Sequence, residues 1–87
     1  MVFSKSEHAV RRPKRTTDEL RALIKRRSIQ FGPWPVGMTM FIYRTNDSWE
    51  VMISPGKTPN EADFRVKALW VAVQMQTEFD LRGPYVL

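Results

Sequence analysis

Cysteine is absent from this chain of 87 residues, and histidine occurs once, at position 8. Without cysteine there is no disulfide, no thiolate nucleophile and no cysteine-based zinc site. Disulfides and zinc sites are the usual stabilising features of small secreted domains. A reducing compartment fits this composition best, and we expect the cytoplasm. His8 has no second nitrogen or sulfur ligand and no recognisable orienting carboxylate, so the sequence predicts no metal site.

Long apolar runs are also missing. The longest is far below the ~20 residues of a membrane-spanning helix, so we expect no membrane segment. The first fifteen residues lack the apolar region of a signal peptide, which predicts that the chain stays in the compartment where it is made.

No group of residues has the pattern of a catalytic site. Glu61 and Asp63 are two positions apart on a predicted helix, so their carboxylates face different ways. Gly56, Lys57 and Thr58 match the end of a phosphate-binding P-loop, but the first glycine of that motif would fall at Val51, inside a predicted strand. We therefore expect no enzymatic activity and no cofactor.

The start of the second predicted helix has two interpretations. Its amides, with Lys57 beside them, could hold one phosphate oxygen. The simpler alternative is that Thr58 is an ordinary helix cap.

Positive charge, in contrast, is abundant and concentrated at one end of the sequence. The net charge is +5, and residues 1–27 hold nine basic against three acidic residues, whereas residues 28–87 hold five against six. Residues 1–15 have no hydrophobic period and contain Pro13, which predicts a flexible basic arm. Such asymmetry is typical of contact with a polyanion, although a solvated tail has the same composition.

Residues 16–87 have the composition of a single small globular domain, with 43% hydrophobic residues and three tryptophans in the whole chain. Thr16 and Glu19 fit a capping box, which predicts a helix over residues 17–28. Thr58, Pro59 and Glu61 repeat this signal for a longer helix reaching about Leu81.

Two alternating apolar segments, residues 38–45 and 48–54, predict a β-hairpin turning at Asn46 and Asp47. The predicted core face consists of three cross-strand pairs: Arg44 with Trp49, Ile42 with Val51, and Met40 with Ile53. The other face carries Phe41 with Met52 and Tyr43 with Glu50, and we expect it to be partly covered. The predicted fold class is α+β, in the order helix, strand, strand, helix, with the long C-terminal helix packed on the two-stranded antiparallel hairpin.

The long helix is apolar on two opposite sides, which requires two partners. One stripe contains Ala62, Val66, Leu69 and Val73, and the other contains Phe64, Ala68, Val71, Met75 and Phe79. Trp34, between two prolines, has two interpretations as well. It is a plug over the core or, less often for such residues, part of a recognition loop.

Two functional hypotheses follow for a non-enzymatic binding protein. In the first, the arm and first helix contact the phosphates of DNA or RNA, and exposed aromatic residues contact bases. The predicted phosphate contacts are Arg11, Arg12, Lys14, Arg15, Arg21, Lys25, Arg26 and Arg27, and the predicted base contacts are Phe41 and Tyr43. In the second, an exposed stripe of the long helix docks a protein partner or a second copy in a homodimer. Its predicted residues are Phe64, Val71, Met75 and Phe79.

Overall fold

The computed structural model describes residues 12–82, which form two helices, a hairpin and a short parallel strand pair. In chain order the elements are β1 (Lys14–Arg15), α1 (Thr17–Ser28), a 3-10 turn (Ile29–Phe31), β2 (Met40–Arg44), β3 (Trp49–Ile53), α2 (Pro59–Gln76) and β4 (Asp80–Leu81). The α+β class is confirmed, with α2 packed on the hairpin. Among the described residues, neither helix is long and apolar enough to cross a membrane.

Helix α1 begins at the predicted capping box. The Glu19 amide donates to Thr16 Oγ1 at 3.1 Å, and the Thr16 amide donates to Glu19 Oε1 at 2.9 Å. Both bonds satisfy amides that have no partner within the helix, which fixes its first residue. Leu20 and Ile24 on the buried side then face the core.

The hairpin has the predicted register, from Met40 opposite Ile53 to Arg44 opposite Trp49. Ile42, Trp49 and Ile53 are buried on the face that both helices cover. The outer face differs from expectation, since Phe41 and Met52 are each 60% exposed. Both helices pack on the same side of the sheet, so no described residue covers the other side.

Helix α2 starts at Pro59 as predicted but ends at Gln76 rather than near Leu81. The indole N–H of Trp49 donates to the carbonyl oxygen of Phe79 at 3.0 Å, which holds the chain in a turn after the helix. Asp80 and Leu81 then pair with β1 in parallel, as the amides of Asp80 and Arg82 donate to the carbonyls of Pro13 and Arg15 at 2.9 and 2.7 Å.

This pairing also changes the boundary of the basic arm. The arm was predicted to reach Arg15, whereas residues 12–15 are part of the folded unit through β1. The earlier residues of the arm, 1–11, lie outside the described part of the chain.

The core is formed by one side of α2 against α1 and the hairpin. Three of the four residues predicted as a partner interface, Phe64, Val71 and Met75, are buried there, and Phe79 is partly buried, so that prediction is wrong in its placement. Ala68 and Ala72 lie in the same stripe, and their small side chains let α1 and the hairpin approach the helix axis. The stripe left exposed is the opposite one, with Val66 at 62%, Trp70 at 57% and Val73 at 53%.

Candidate anion-binding site

A polar basin of about 580 Å³ opens where β1, β4 and the hairpin loop meet. Four of its lining residues are cationic and two are acidic: Arg12, Lys14, Arg44 and Arg82, with Asp47 and Asp80. Asn46, Ser48 and Leu81 complete the lining. Four positive against two negative charges leave the basin at +2, so it favours an anion.

Three separate segments bring these cations together. The β1–β4 pairing aligns Lys14 with Asp80 and Arg15 with Leu81, so residues from both ends of the described chain line one wall. The other wall is the hairpin loop, and Arg44 is the last residue of β2 before it. Arg44 belongs to the core-facing side of its strand, but at the end of the sheet that side opens to solvent.

Two of the four cations are held in place by the fold. Arg12 Nε lies 3.2 Å from Asp80 Oδ1, and Arg44 Nη2 donates to the carbonyl oxygen of Leu81 at 3.1 Å. Lys14 and Arg82 are exposed, and within residues 12–82 neither forms an ion pair. The basin therefore combines fixed guanidinium groups with cations that can move towards a ligand.

The remaining predicted phosphate contacts are distributed elsewhere. Arg21 pairs with Asp18 at 2.8 Å, and Arg15 lies over the ring of Phe79 at 5.2 Å from its centroid. Arg11 lies outside the described residues. Lys25 and Arg26 are exposed on α1.

Arg27 makes a two-pronged ion pair that joins α1 to the segment after α2. Its Nη1 and Nη2 donate to Glu78 Oε2 and Oε1 at 2.8 and 2.9 Å. These hydrogen bonds lower the pKa of Glu78 and raise the pKa of Arg27, since each partner is stabilised in its charged form. Arg27 therefore has a structural partner already.

A second cavity, which we call the Trp34 hollow, lies at the end of α1 and has a volume of about 550 Å³. Its lining is mostly apolar with two cations at the rim: Ala22, Ile29, Gly32, Pro33 and Trp34, with Lys25 and Arg26. Trp34 is partly buried and packs on both core clusters, as the plug interpretation predicts. Its outer side lines the hollow.

The predicted base contacts lie on neither cavity. Phe41 and Tyr43 stack on the outer hairpin face with ring centroids 6.0 Å apart and an interplanar angle of 22°. The strand residues beside them are Met52 and Glu50, so this aromatic pair has a carboxylate as its charged neighbour.

At the start of α2, side chains of the protein itself accept hydrogen bonds from two backbone amides. Thr58 Oγ1 accepts from the Glu61 amide at 3.1 Å, and Glu61 Oε1 accepts from the Lys57 amide at 2.7 Å. A Cβ on Gly56 would lie 2.5 Å from the Cβ of Glu61, so glycine is needed for this close approach. The carboxylate of Glu61 takes the place that a phosphate oxygen would need, which supports the ordinary cap.

Arg44 and Arg82 are the basin residues that sequence reasoning did not identify. Arg44 was assigned to the core-facing side of the hairpin, and Arg82 follows a strand of two residues, which has no period to read. The one signal in the sequence was the position of Arg44, a cation next to the predicted hairpin turn; Arg82 had no such signal. Among residues 12–82, no group of three or more histidine or acidic side chains could hold a metal ion. No protein-family model, curated protein or solved structure matches this chain.

Proposed function

We propose that this protein is a non-enzymatic nucleic-acid-binding protein of the cytoplasm, and that the basin holds a phosphate of the bound strand. The observation that carries the proposal is the meeting of Arg12, Lys14, Arg44 and Arg82 around one open cavity. Neutralising phosphates with lysine and arginine releases counterions, and this term supplies most of the affinity of non-specific binding.

The chemistry of the lining suits a phosphate oxygen. Arg44, oriented by the Leu81 carbonyl, presents a planar set of N–H donors, and arginine forks match phosphate geometry well. Lys14 and Arg82 supply positive charge, and Ser48 and Asn46 add neutral donors. Asp80 pairs with Arg12 and orients it, so the negative charge of Asp80 is already partly neutralised within the protein.

The set of contacts proposed here is smaller than the set predicted from sequence. Arg21 and Arg27 pair with acidic residues and do not line the basin, so they are not among the proposed contacts. Lys25 and Arg26, which are exposed on α1, are proposed as a second group of phosphate contacts.

The test measures the binding of labelled DNA and RNA oligonucleotides by fluorescence anisotropy, at about 50 mM and at about 200 mM salt. Lys14→Gln and Arg82→Gln remove exposed cations of the basin. Each is expected to weaken binding and to reduce the salt slope by about one. Lys57→Gln is the matched control, since it removes an exposed cation outside the basin.

Failure to bind any oligonucleotide at the lower salt concentration would overturn the proposal. If Lys57→Gln weakens binding as much as Lys14→Gln does, the protein binds nucleic acid but the basin is not the binding site.

A second candidate function is self-association into a homodimer through the exposed stripe of α2. It is supported by the exposure of Val66, Trp70 and Val73, which recur at helical spacing along one side. Sedimentation at high micromolar concentration is expected to detect a dimer that Trp70→Lys abolishes and Phe41→Lys does not. A monomer at that concentration would overturn this candidate, and α2 would then be free to dock a different protein.

A further inference from the structure

The Trp34 hollow combines an aromatic ring, an apolar floor and two cations. The basin, in contrast, has cations but no aromatic residue in its lining. Its volume of about 550 Å³ lies within the range of about 300 to 1,000 Å³ typical of pockets for small ligand groups. Ile29 and Pro33 are exposed beside the ring, so the apolar part of the lining is accessible from solvent.

The indole of Trp34 is held in a fixed orientation. Its Nε1–H donates to the carbonyl oxygen of Met38 at 2.7 Å, and the ring meets the ring of Phe64 edge to face, with centroids 5.4 Å apart. Pro33 and Pro35 on either side restrict the backbone. A ring fixed in this way can receive a stacked partner without losing further conformational freedom.

One cation of the hollow already lies over this ring. Lys25 Nζ lies 5.5 Å from the ring centroid. An exposed cation–π contact is weaker than a nucleobase stacked on an aromatic side chain, so a base can displace the ammonium group. The displaced Lys25 remains at the rim beside Arg26, where a phosphate next to the base would lie.

Charge distinguishes this hollow from the exposed aromatic pair on the outer hairpin face. On the outer hairpin face, Phe41 and Tyr43 have Glu50 as their charged neighbour. A base is always accompanied by phosphates, so a binding surface needs aromatic and cationic groups together. Lys25 and Arg26 supply that combination beside Trp34. At the exposed Trp70 the neighbouring cation is Arg27, which is already paired with Glu78.

We infer that the Trp34 hollow receives one unpaired base of single-stranded nucleic acid, stacked on Trp34, while Lys25 and Arg26 contact the flanking phosphates. This inference rests on the proposed function and adds a preference for single strands to it. In a duplex the bases are stacked on each other and paired, so a base cannot enter the hollow without being unpaired first.

The first experiment uses Trp34 as its own reporter. In a Trp70→Phe background the remaining tryptophans are Trp34 and Trp49, and Trp49 is fully buried. Titration with single-stranded oligo-dT of about 12 nucleotides is expected to quench the fluorescence. A duplex of equal length and poly-glutamate, a polyanion without bases, are expected to bind without comparable quenching. The Trp34→Phe variant in the same background is expected to lose the response.

The second experiment blocks the hollow without touching the core. Ala22 is an exposed lining residue, so Ala22→Glu places a carboxylate in the hollow, while Ala22→Gln places a side chain of equal size without charge. Ala62→Glu adds the same charge at an exposed alanine of α2 and is the matched control. Ala22→Glu is expected to weaken oligo-dT binding about fivefold or more relative to Ala62→Glu, with a smaller effect on duplex.

The outcomes separate this inference from the proposed function. Equal affinity for single strand and duplex, or equal effects of Ala22→Glu and Ala62→Glu, would overturn the inference and leave the basin proposal standing. Quenching by poly-glutamate as strong as that by oligo-dT would also overturn it, because the hollow would then respond to an acidic protein. Absence of binding to every polyanion would overturn both.

Discussion

Ser28 ends α1 with its side chain fully buried and its hydroxyl without a hydrogen-bond partner among residues 12–82. A buried hydroxyl with no partner loses its hydration without compensation, at a cost of about 1–3 kcal/mol. Because this buried hydroxyl has no partner, a methyl group suits the site better.

Ser28→Ala is therefore expected to raise the free energy of unfolding by about 1 kcal/mol in urea denaturation. Ser54→Ala is the matched control, since Ser54 Oγ accepts from the Thr39 amide at 2.8 Å and its loss is expected to lower stability. If Ser28→Ala unfolds at lower urea than the parent protein, the hydroxyl makes a stabilising contact.

Single residues were predictable from sequence where their role is local. Thr16 with Glu19 and Thr58 with Pro59 are cap signals within four positions, and both helices begin there. The basin was not predictable in this way. Arg82 reaches it only because Asp80 and Leu81 pair with residues more than sixty positions earlier, and nothing local specifies that contact.

At the scale of elements, the Arg27–Glu78 pair is the described ion pair that connects α1 with the segment after α2. Its two-pronged geometry favours it over an ordinary surface pair. Both side chains remain more than one third exposed, so its contribution is that of a surface pair, about 0.2–1 kcal/mol.

This pair makes a small contribution to the pH dependence of stability. The pKa of Glu78 is lowered from its ordinary value of 4.5 by the hydrogen bonds from Arg27. A lowered pKa in the folded state means that the stabilisation is fully present above pH 4.5 and is lost as the pH falls below it towards the folded-state pKa. Glu78→Gln is expected to remove that part of the acid sensitivity and to lower stability at neutral pH.

Urea denaturation at neutral and acidic pH measures this effect. Glu50→Gln changes an exposed carboxylate on the outer hairpin face and provides the comparison. A Glu78→Gln variant with the same acid sensitivity as Glu50→Gln would show that the ion pair makes no contribution.

Elements differed in how well the sequence predicted them. The hairpin register followed from alternation around a turn, since a slip of one residue would move Trp49 and Ile53 out of the core. The end of α2 did not follow, because no glycine or proline stands between Gln76 and Gly83 to mark the end of the helix. Tertiary contacts end the helix earlier, through the indole of Trp49 at Phe79 and the pairing of β4 with β1.

At the scale of the whole molecule, residues 12–82 form a single layer of helices on a hairpin of two strands, and this limits how much apolar surface they can bury. Helix α2 is apolar on two sides, and α1 with the hairpin covers only one of them. The sequence predicted both stripes but placed the wrong one, with Phe64, Val71 and Met75, at an exposed interface. In the fold, Ala72 packs with residues of α1 and Ala68 packs with Ile53 of the hairpin, so tertiary contacts decide which stripe is buried.

Truncation tests whether residues 12–15 belong to the folded unit. A variant lacking residues 1–15 loses the backbone hydrogen bonds between β1 and β4, among them those donated by Asp80 and Arg82, and the Arg12–Asp80 pair. Its free energy of unfolding is expected to be about 1–3 kcal/mol below that of a variant lacking residues 1–11, which serves as the reference. Urea denaturation of the two variants measures the difference, and equal stability would contradict a structural role for β1.

The β1–β4 pair also determines how the molecule would respond to mechanical load. The two strands run parallel, and the chain enters β1 at one end of the pair and leaves β4 at the opposite end. A force pulling residues 12 and 82 apart would therefore act along the strands in shear. The backbone hydrogen bonds of the pair would resist together instead of breaking one after another, so this short strand pair would be strongest against tension along the chain.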